Sequence, residues 1–463
     1  MKRQARVGLL PLYLKLYDET VPEVFVHFEA FLQEVVERLE GEELTVVRGE
    51  TCRVEAEVRQ AVALFEKQDV DLIITLHLAY SPSLESVGPL CETELPILML
   101  DITMDLSFGP GVDPERIMYN HGIHGVQDLA SMLRRHGKHY EIVAGPGNEP
   151  LVFSHAANIA RAALAAKLFR GMRILSLGAP FKGMGDFSVP EAVLKEKFGI
   201  TVEEKMLDDL EMEAEVITEE EIEAERMSDA EHYDLPLSKE VHRRSLRVGL
   251  GLRKMLERGG YSAFSMNFQA FDRSEGPANT VPFLETSKAM ARGIGYAGEG
   301  DVLTAALVGA LSAAFGRTTF TEIFCPDWEG NMLFLSHMGE INPEVASGRP
   351  RIFEKPYPFS AAQNPAVLTC SVEPGMALFV NLAPGPDDSF SLIFEPVDVQ
   401  DDSDAVNMQD AIRIWVRPGM AISRFLENYS RLGGTHHSAL LLGLPGSAIQ
   451  AFGAFLGLPT YRV

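Results

Sequence analysis

The sequence predicts an α/β protein of three domains: two doubly wound α/β domains (residues 1–168 and 169–316), then a largely antiparallel β domain (317–463). Three observations point there. The first third alternates short β-branched runs with helical patterns, which implies a mostly parallel sheet. A long Ala-rich helix then leads into a fresh strand and a turn-rich loop. After Gly316 the composition shifts to short β runs broken by Pro and Gly. A chain of 463 residues has room for two or three cores.

In the first domain, candidate strands are residues 7–12, 44–48, 72–76, 97–100 and 142–144. Between them, residues 23–39, 55–67, 83–92 and 126–135 place apolar side chains at three- and four-residue spacing, the period of a half-buried helix. Function in such sheets collects beyond the carboxyl ends of the strands. Leu76-His77, Leu100-Asp101 and the loop 119–125 therefore share one candidate surface.

The helix at 151–169 leads to a strand at Arg173–Leu177 and to the turn Ala179-Pro180-Phe181-Lys182-Gly183-Met184-Gly185-Asp186. Thr218 and Glu221 have the spacing of a reciprocal cap, a hydroxyl and a carboxylate each satisfying the other residue's amide. A helix over 240–257 and a strand over 263–267 follow. Gly295-Tyr296-Ala297-Gly298-Glu299-Gly300-Asp301 is expected to be a glycine-rich turn, with Asp301 capping a helix over Val302–Phe315. In the third domain, β runs extend over 318–414 with breaks such as Pro374-Gly375 and Pro384-Gly385-Pro386. The last fifty residues return to helix-like patterns around a His436-His437 turn.

Charge narrows the partners. The formal net charge of −25 argues against nucleic acid, whose phosphates require a basic footprint. Part of that acidity is local: 14 acidic and 2 basic residues fall between Glu203 and Glu231, a solvated helical surface. No apolar run approaches the roughly 18 residues of a membrane span. The basic start precedes only a strand-length apolar segment, too short for a secretory signal. Cys52, Cys91, Cys325 and Cys370 show no metal or disulfide spacing. A cytoplasmic protein is expected.

Four residues could close around one divalent ion: Glu299, Glu322, His337 and His437. Two carboxylates and two imidazoles suit a borderline-hard cation such as Mn²⁺ and leave positions for substrate oxygens. Glu299 would sit just outside a helix N-terminus, where the dipole favours a carboxylate. Glu322 and His337 end β runs and are consistent with neighbouring strands. Adjacent residues of an extended chain face opposite sides. Only one of His436 and His437 is therefore expected to be a direct ligand, with the other fixing a substrate hydroxyl or supporting a ligand. His121 and His124 are the remaining candidates.

The glycine-rich stretch 295–301, running into Thr304-Ala305-Ala306-Leu307, resembles the signature of the L-arabinose isomerases. So do Thr319-Phe320-Thr321-Glu322, Ser336-His337-Met338-Gly339-Glu340 and Gly433-Gly434-Thr435-His436-His437. Leu76-His77-Leu78-Ala79-Tyr80-Ser81-Pro82 and Asn120-His121-Gly122-Ile123-His124-Gly125 extend the likeness into the N-terminal half. The resemblance implies two α/β domains and a β-rich third, with Mn²⁺ held by Glu299, Glu322, His337 and His437. It also implies that His124 reaches the active site of a neighbouring subunit in a homotrimer or homohexamer. The sequence departs from the family pattern at Leu10-Pro11-Leu12-Tyr13-Leu14, around His121, and in the loop after Glu322.

The expected activity is aldose–ketose isomerisation, with Glu299 and Glu322 carrying protons between C1 and C2. His124 and His436 would contact the sugar. The rival from another class is a non-catalytic sugar-binding or regulatory protein on the same fold.

Overall fold

A computed structural model describes residues 2–463, which divide into two compact units. One is built mainly of Gln4–Lys167 with Gln450–Gly457, and the other of Leu168–Ile449 with Leu458–Val463.

The first unit holds a five-stranded parallel sheet. Its strands are β1 (Arg6–Leu12), β2 (Thr45–Arg48), β3 (Leu72–His77), β4 (Ile97–Thr103) and β5 (Glu141–Pro146), in the order β2-β1-β3-β4-β5. Every residue of β3 is buried, as expected for a central strand covered on both faces. The helix Glu55–Lys67 turns Val58, Ala61, Val62 and Phe65 inward, the helical spacing read from the sequence. Phe65 lies directly over β1, where a Cβ on Gly8 would fall 2.5 Å from its ring. Two expected helices are interrupted. Pro22–His27 is a 3₁₀ segment leading into Phe28–Gly41, and Ser83–Glu85 is a 3₁₀ turn before Val87–Glu92.

The second unit contains two large sheets and a two-stranded one. Strands β6 (Arg173–Leu177), β7 (Thr201–Lys205), β8 (Ala263–Met266) and β9 (Gly295–Gly298) form a parallel sheet ordered β7-β6-β8-β9. Two of these strands depart from expectation. β7 is polar and half-buried at the sheet edge, so alternation hides it in an acidic run. Gly295–Gly298, expected as a turn, is a fully buried strand. Glycine at 295 admits the helix Val302–Phe315 at close range, since a Cβ there would lie 2.1 Å from the Ala305 carbonyl oxygen. The expected cap at Thr218 is present: its amide donates to Glu221 Oε2 at 2.8 Å, and the Glu221 amide donates to Thr218 Oγ1 at 3.2 Å.

The second sheet is antiparallel and closes on itself. Its strands are β10 (Thr318–Asp327), β11 (Met332–Ser336), β14 (Gly375–Pro384), β15 (Phe390–Val399), β16 (Ile414–Pro418), β17 (His437–Leu442) and β18 (Thr460–Arg462). They run β14-β17-β10-β11-β16-β15-β18, and β14 also pairs with β15, so six strands make a ring. β12 (Arg351–Glu354) and β13 (Ala366–Thr369) form a separate hairpin. The His436-His437 segment is therefore the start of an interior strand and not a turn between helices. Val302–Phe315 is almost wholly buried because it packs against both the parallel sheet and the ring. No helix among the described residues is long and apolar enough to cross a membrane.

Candidate active site

The buried helix Val302–Phe315 brings the two large sheets of the second unit to one place, and its N-terminus carries the first candidate. Glu299 leaves β9 with φ +66°, a left-handed conformation that costs a non-glycine residue energy and persists where surrounding bonds enforce it. Its amide donates to the Met266 carbonyl at 2.9 Å, its carbonyl accepts from the Phe181 amide at 2.9 Å, and the next amide donates to Ser265 Oγ at 2.9 Å. The Glu299 side chain is thereby turned from the parallel sheet toward the ring.

The ring supplies the rest. Glu322 on β10 stands opposite His437 on β17 in one register and opposite Ser336 on β11 in the other. A bulge between Ile323 and Cys325 follows at once, a feature frequent beside active sites because it re-aims side chains. His337 continues from β11. His437 Nε2 lies 3.5 Å from Glu299 Oε2. Two overlapping groups have ligand atoms within 4.8 Å of one another: Glu299 with His436 and His437, and Glu322 with His337 and His437. His437 is common to both. The five residues expected at the site from this half of the chain are thus together, although no single group contains both glutamates.

Each imidazole is held by a carboxylate behind it. Asp301 caps the Val302–Phe315 helix through Oδ1, accepting from the Thr304 amide at 2.8 Å, while its Oδ2 accepts from His437 Nδ1 at 3.0 Å. Glu340 accepts from His337 Nδ1 at 2.8 Å, from Tyr296 Oη at 2.6 Å and from its neighbour's amide, Gly339, at 2.7 Å. With Nδ1 donating, Nε2 of each ring keeps its lone pair. His437 Nε2 is buried with no hydrogen-bond partner, a cost normally met by a ligand. Aromatic rings fix the remaining faces. Phe187 stacks on His437 with 5.3 Å between centroids, and Phe320 stands edge-on to His337 and His437 at 4.7 and 4.9 Å.

His436 defeats the alternation argument. It precedes the strand, and its Nε2 also lies 3.5 Å from Glu299 Oε2. Asp186 holds it from behind, accepting from its Nδ1 at 2.6 Å and its amide at 2.9 Å. Unlike His437, His436 is partly open to solvent.

The electrostatics separate the two glutamates. Burial raises the Glu299 pKa, but His436, His437 and His337 outweigh it and leave the group below the ordinary carboxylate value. Burial dominates at Glu322, which is raised despite the same histidines. For His337, burial pulls downward and is outweighed by Glu340, Glu322 and Glu299, so the imidazole is raised. Burial also opposes the charge on His436, yet Glu299 and Asp186 raise it to about 9.

His124 belongs to the first unit, on the helix Ile123–Arg135, with its ring centroid 5.9 Å from that of His121. His121 in turn bonds Tyr17 Oη through Nε2 at 3.0 Å. Sequence reading missed Asp186, Phe187 and the second role of Asp301. A carboxylate just before a helix signals a cap, and nothing in its spacing reports a partner on another sheet.

A buried carboxylate–imidazole cluster thus lies at the junction of a parallel α/β layer and an antiparallel β ring. Residues 191–315 match the model of the L-arabinose isomerase central domain, and residues 317–459 match that of the L-arabinose isomerase C-terminal domain. An L-arabinose isomerase of Nocardioides sp. is 28% identical over 349 residues, covering 72% of this chain and 68% of that protein. The L-arabinose isomerase of Anoxybacillus flavithermus is 26% identical over 400 residues, with 83% and 79% covered. That of Lactiplantibacillus plantarum is 26% identical over 359 residues, with 75% and 74% covered. A periplasmic solute-binding protein from Actinobacillus succinogenes with bound D-allose is 13% identical, with 67% of this chain and 91% of that chain covered and a TM-score of 0.19. The chain belongs to the L-arabinose isomerase family, whose members are intramolecular oxidoreductases that interconvert aldoses and ketoses.

Proposed function

We propose that this chain is an aldose–ketose isomerase dependent on a divalent cation, Mn²⁺ first among candidates, that moves a proton between C1 and C2 through an enediol(ate). The observation that carries the reading is the convergence of Glu299, Glu322 and His337 on the unpartnered Nε2 of His437. The donor set fits such an ion, with two carboxylates and two imidazoles available. Glu299, Glu322, His337 and His437 would hold it, while Asp301 and Glu340 fix the imidazole rings. When bound, the ion supplies Lewis-acid stabilisation of negative charge developing on the sugar oxygens.

The chain's own residues do the rest. Glu299 and Glu322 arrive from different sheets, so one carboxylate can take the proton from carbon while the other serves the neighbouring carbon. His436, braced by Asp186, would donate to a sugar hydroxyl. The enclosing Phe187 and Phe320 rings help exclude water, which would otherwise compete for the transferred proton. His124 would add a substrate contact from an adjacent subunit of a homotrimer or homohexamer, a closed assembly supported by the family resemblance. A cytoplasmic setting belongs to the same reading and is supported by four cysteines standing as free thiols.

The test is ketose formation from a panel of aldopentoses, aldohexoses and deoxy sugars with added Mn²⁺. Turnover of at least one is expected; no ketose from any of them would remove the reading.

A further inference from the structure

The helix Lys239–Gly259 carries Arg243, Arg244 and Arg247 in its first turns, and all three line a cavity of about 480 Å³. The loop 274–279, Gln363, Glu240 and Ile222 complete the wall. That wall is pinned. The Gln363 amide donates to the Asn279 carbonyl at 2.8 Å, and Thr280 Oγ1 donates to the Gln363 carbonyl at 2.8 Å. Gln363 Nε2 donates to the Ser274 carbonyl at 3.2 Å.

Positive charge is in local excess here, against the −25 of the whole chain. Glu219 accepts from both Arg243 and Arg247, so one carboxylate serves two guanidinium groups. Glu240 is the one carboxylate in the wall, and Glu211 behind Gly276 is paired with Arg273. Arg244 has no carboxylate partner among the described residues. It donates from Nη2 to the Asn364 carbonyl at 2.8 Å, and its Nε is buried with no hydrogen-bond partner. A guanidinium has five N–H donors, and leaving those of a charged group unmet is costly.

We propose that this cavity binds a small polyhydroxylated phosphate ester, a sugar phosphate, with the phosphate on the three arginines. Planar guanidinium groups match phosphate oxygens two at a time. The cavity lies in the size range of small-molecule sites and exceeds what a phosphate alone would fill. The Ser274 and Asn279 side chains, which make no hydrogen bond to the rest of the described residues, meet the hydroxyls of the remaining space. Ile222 and Pro277 are its apolar side chains, and no aromatic ring is present on which a nucleobase could stack. None of Glu299, Glu322, His337, His436 or His437 lines the cavity, so the site is independent of the isomerase reading.

The test is calorimetric titration of the full chain with glycerol 3-phosphate, inorganic phosphate, AMP and glycerol. One glycerol 3-phosphate per chain should bind, severalfold more tightly than inorganic phosphate or AMP, and glycerol should not bind. Arg244→Gln should weaken the ester by about ten- to a hundredfold, the worth of a hydrogen bond to a charged group. Asn279→Asp changes the side chain little in size and sets a carboxylate against the phosphate, so it should weaken binding at least as much. His437→Ala, in the other cluster, should bind the ester as the unaltered chain does. No heat with millimolar ester, or unchanged affinity in Asn279→Asp, would overturn the site. Loss of binding in His437→Ala would place the phosphate among the metal-ligand candidates and overturn it equally. Tighter binding of AMP than of glycerol 3-phosphate would overturn the sugar phosphate as its ligand.

Discussion

Gly298 and His337 are pressed together: a Cβ at position 298 would lie 2.8 Å from Cε1 of the imidazole. The last residue of β9 thus has no side chain because a ring from the other sheet occupies that space. Gly298→Ala should fold, since glycine here carries no left-handed φ, but it must push His337 aside. A displacement near an ångström costs about a hundredfold in rate at a positioned site. Activity is expected to fall by about ten- to a hundredfold, with weaker Mn²⁺ binding by calorimetry and little change in secondary structure by circular dichroism.

Asp301 serves two masters, the helix amide of Thr304 and the imidazole of His437. Asn is as good a cap as Asp, so Asp301→Asn should leave thermal stability nearly unchanged while metal affinity drops about ten- to a hundredfold. Asp301→Ala should lose both, adding about 0.5–2 kcal/mol of destabilisation. A parallel loss in the Asn and Ala variants would assign the residue to stability alone.

Alanine at Glu299, Glu322, His337 or His437 should abolish ketose formation and strongly reduce bound metal in elemental analysis. His436→Ala should impair turnover while most of the metal stays. If His436→Ala empties the centre and His437→Ala does not, the roles of the pair are exchanged.

A pH effect on stability is expected away from the site. Burial would raise the Glu225 pKa, but Arg253 and Lys288 outweigh it and hold the group at about 2, below its ordinary 4.5. A carboxylate depressed in the folded state adds stability above its unfolded pKa, and that contribution is lost as pH falls from about 4.5 toward about 2. Glu225→Gln should cost on the order of 2–3 kcal/mol at neutral pH. It should also flatten the acid limb of a denaturation series between those values.

Assembly can be tested by complementation. His124→Ala and Glu299→Ala, each inactive alone, should regain part of the activity when mixed, dissociated and reassembled, if one site draws on two chains. Demonstrated subunit exchange with no recovery would mean that each chain completes its own site.

Much of this was legible from residue order. The helices at Glu55–Lys67 and Val302–Phe315 coincide with their periodic patterns, because burial of one face or of the whole helix writes itself into spacing. Glu322 and His337 could be nominated because each ends a β run, and His437 because it follows a glycine-rich turn and precedes an apolar stretch. What stayed hidden is tertiary. Gly295–Gly298 looked like a turn because its glycines answer to the helix that folds back on them and to His337, contacts that spacing does not report. β17 was obscured because its flanking segments, Ile422–Arg431 and Gly446–Leu456, are helical. Asp186 meets His436 across 250 positions, a distance no local pattern reports.

The direct pairing of Glu322 with His437 across two hydrogen-bonded strands has a consequence for ion choice. Their separation is governed by the interstrand repeat of the sheet, which neighbouring strands on both sides keep from breathing. Glu299, by contrast, follows β9 of the other sheet, and no strand pairing ties its side chain to the ring. An ion of larger or smaller radius would therefore be accommodated more readily by the Glu299 side chain than by the Glu322–His437 pair. With the proposed ion in place, discrimination by ionic radius would rest on one carboxylate side chain working against a rigid β ladder.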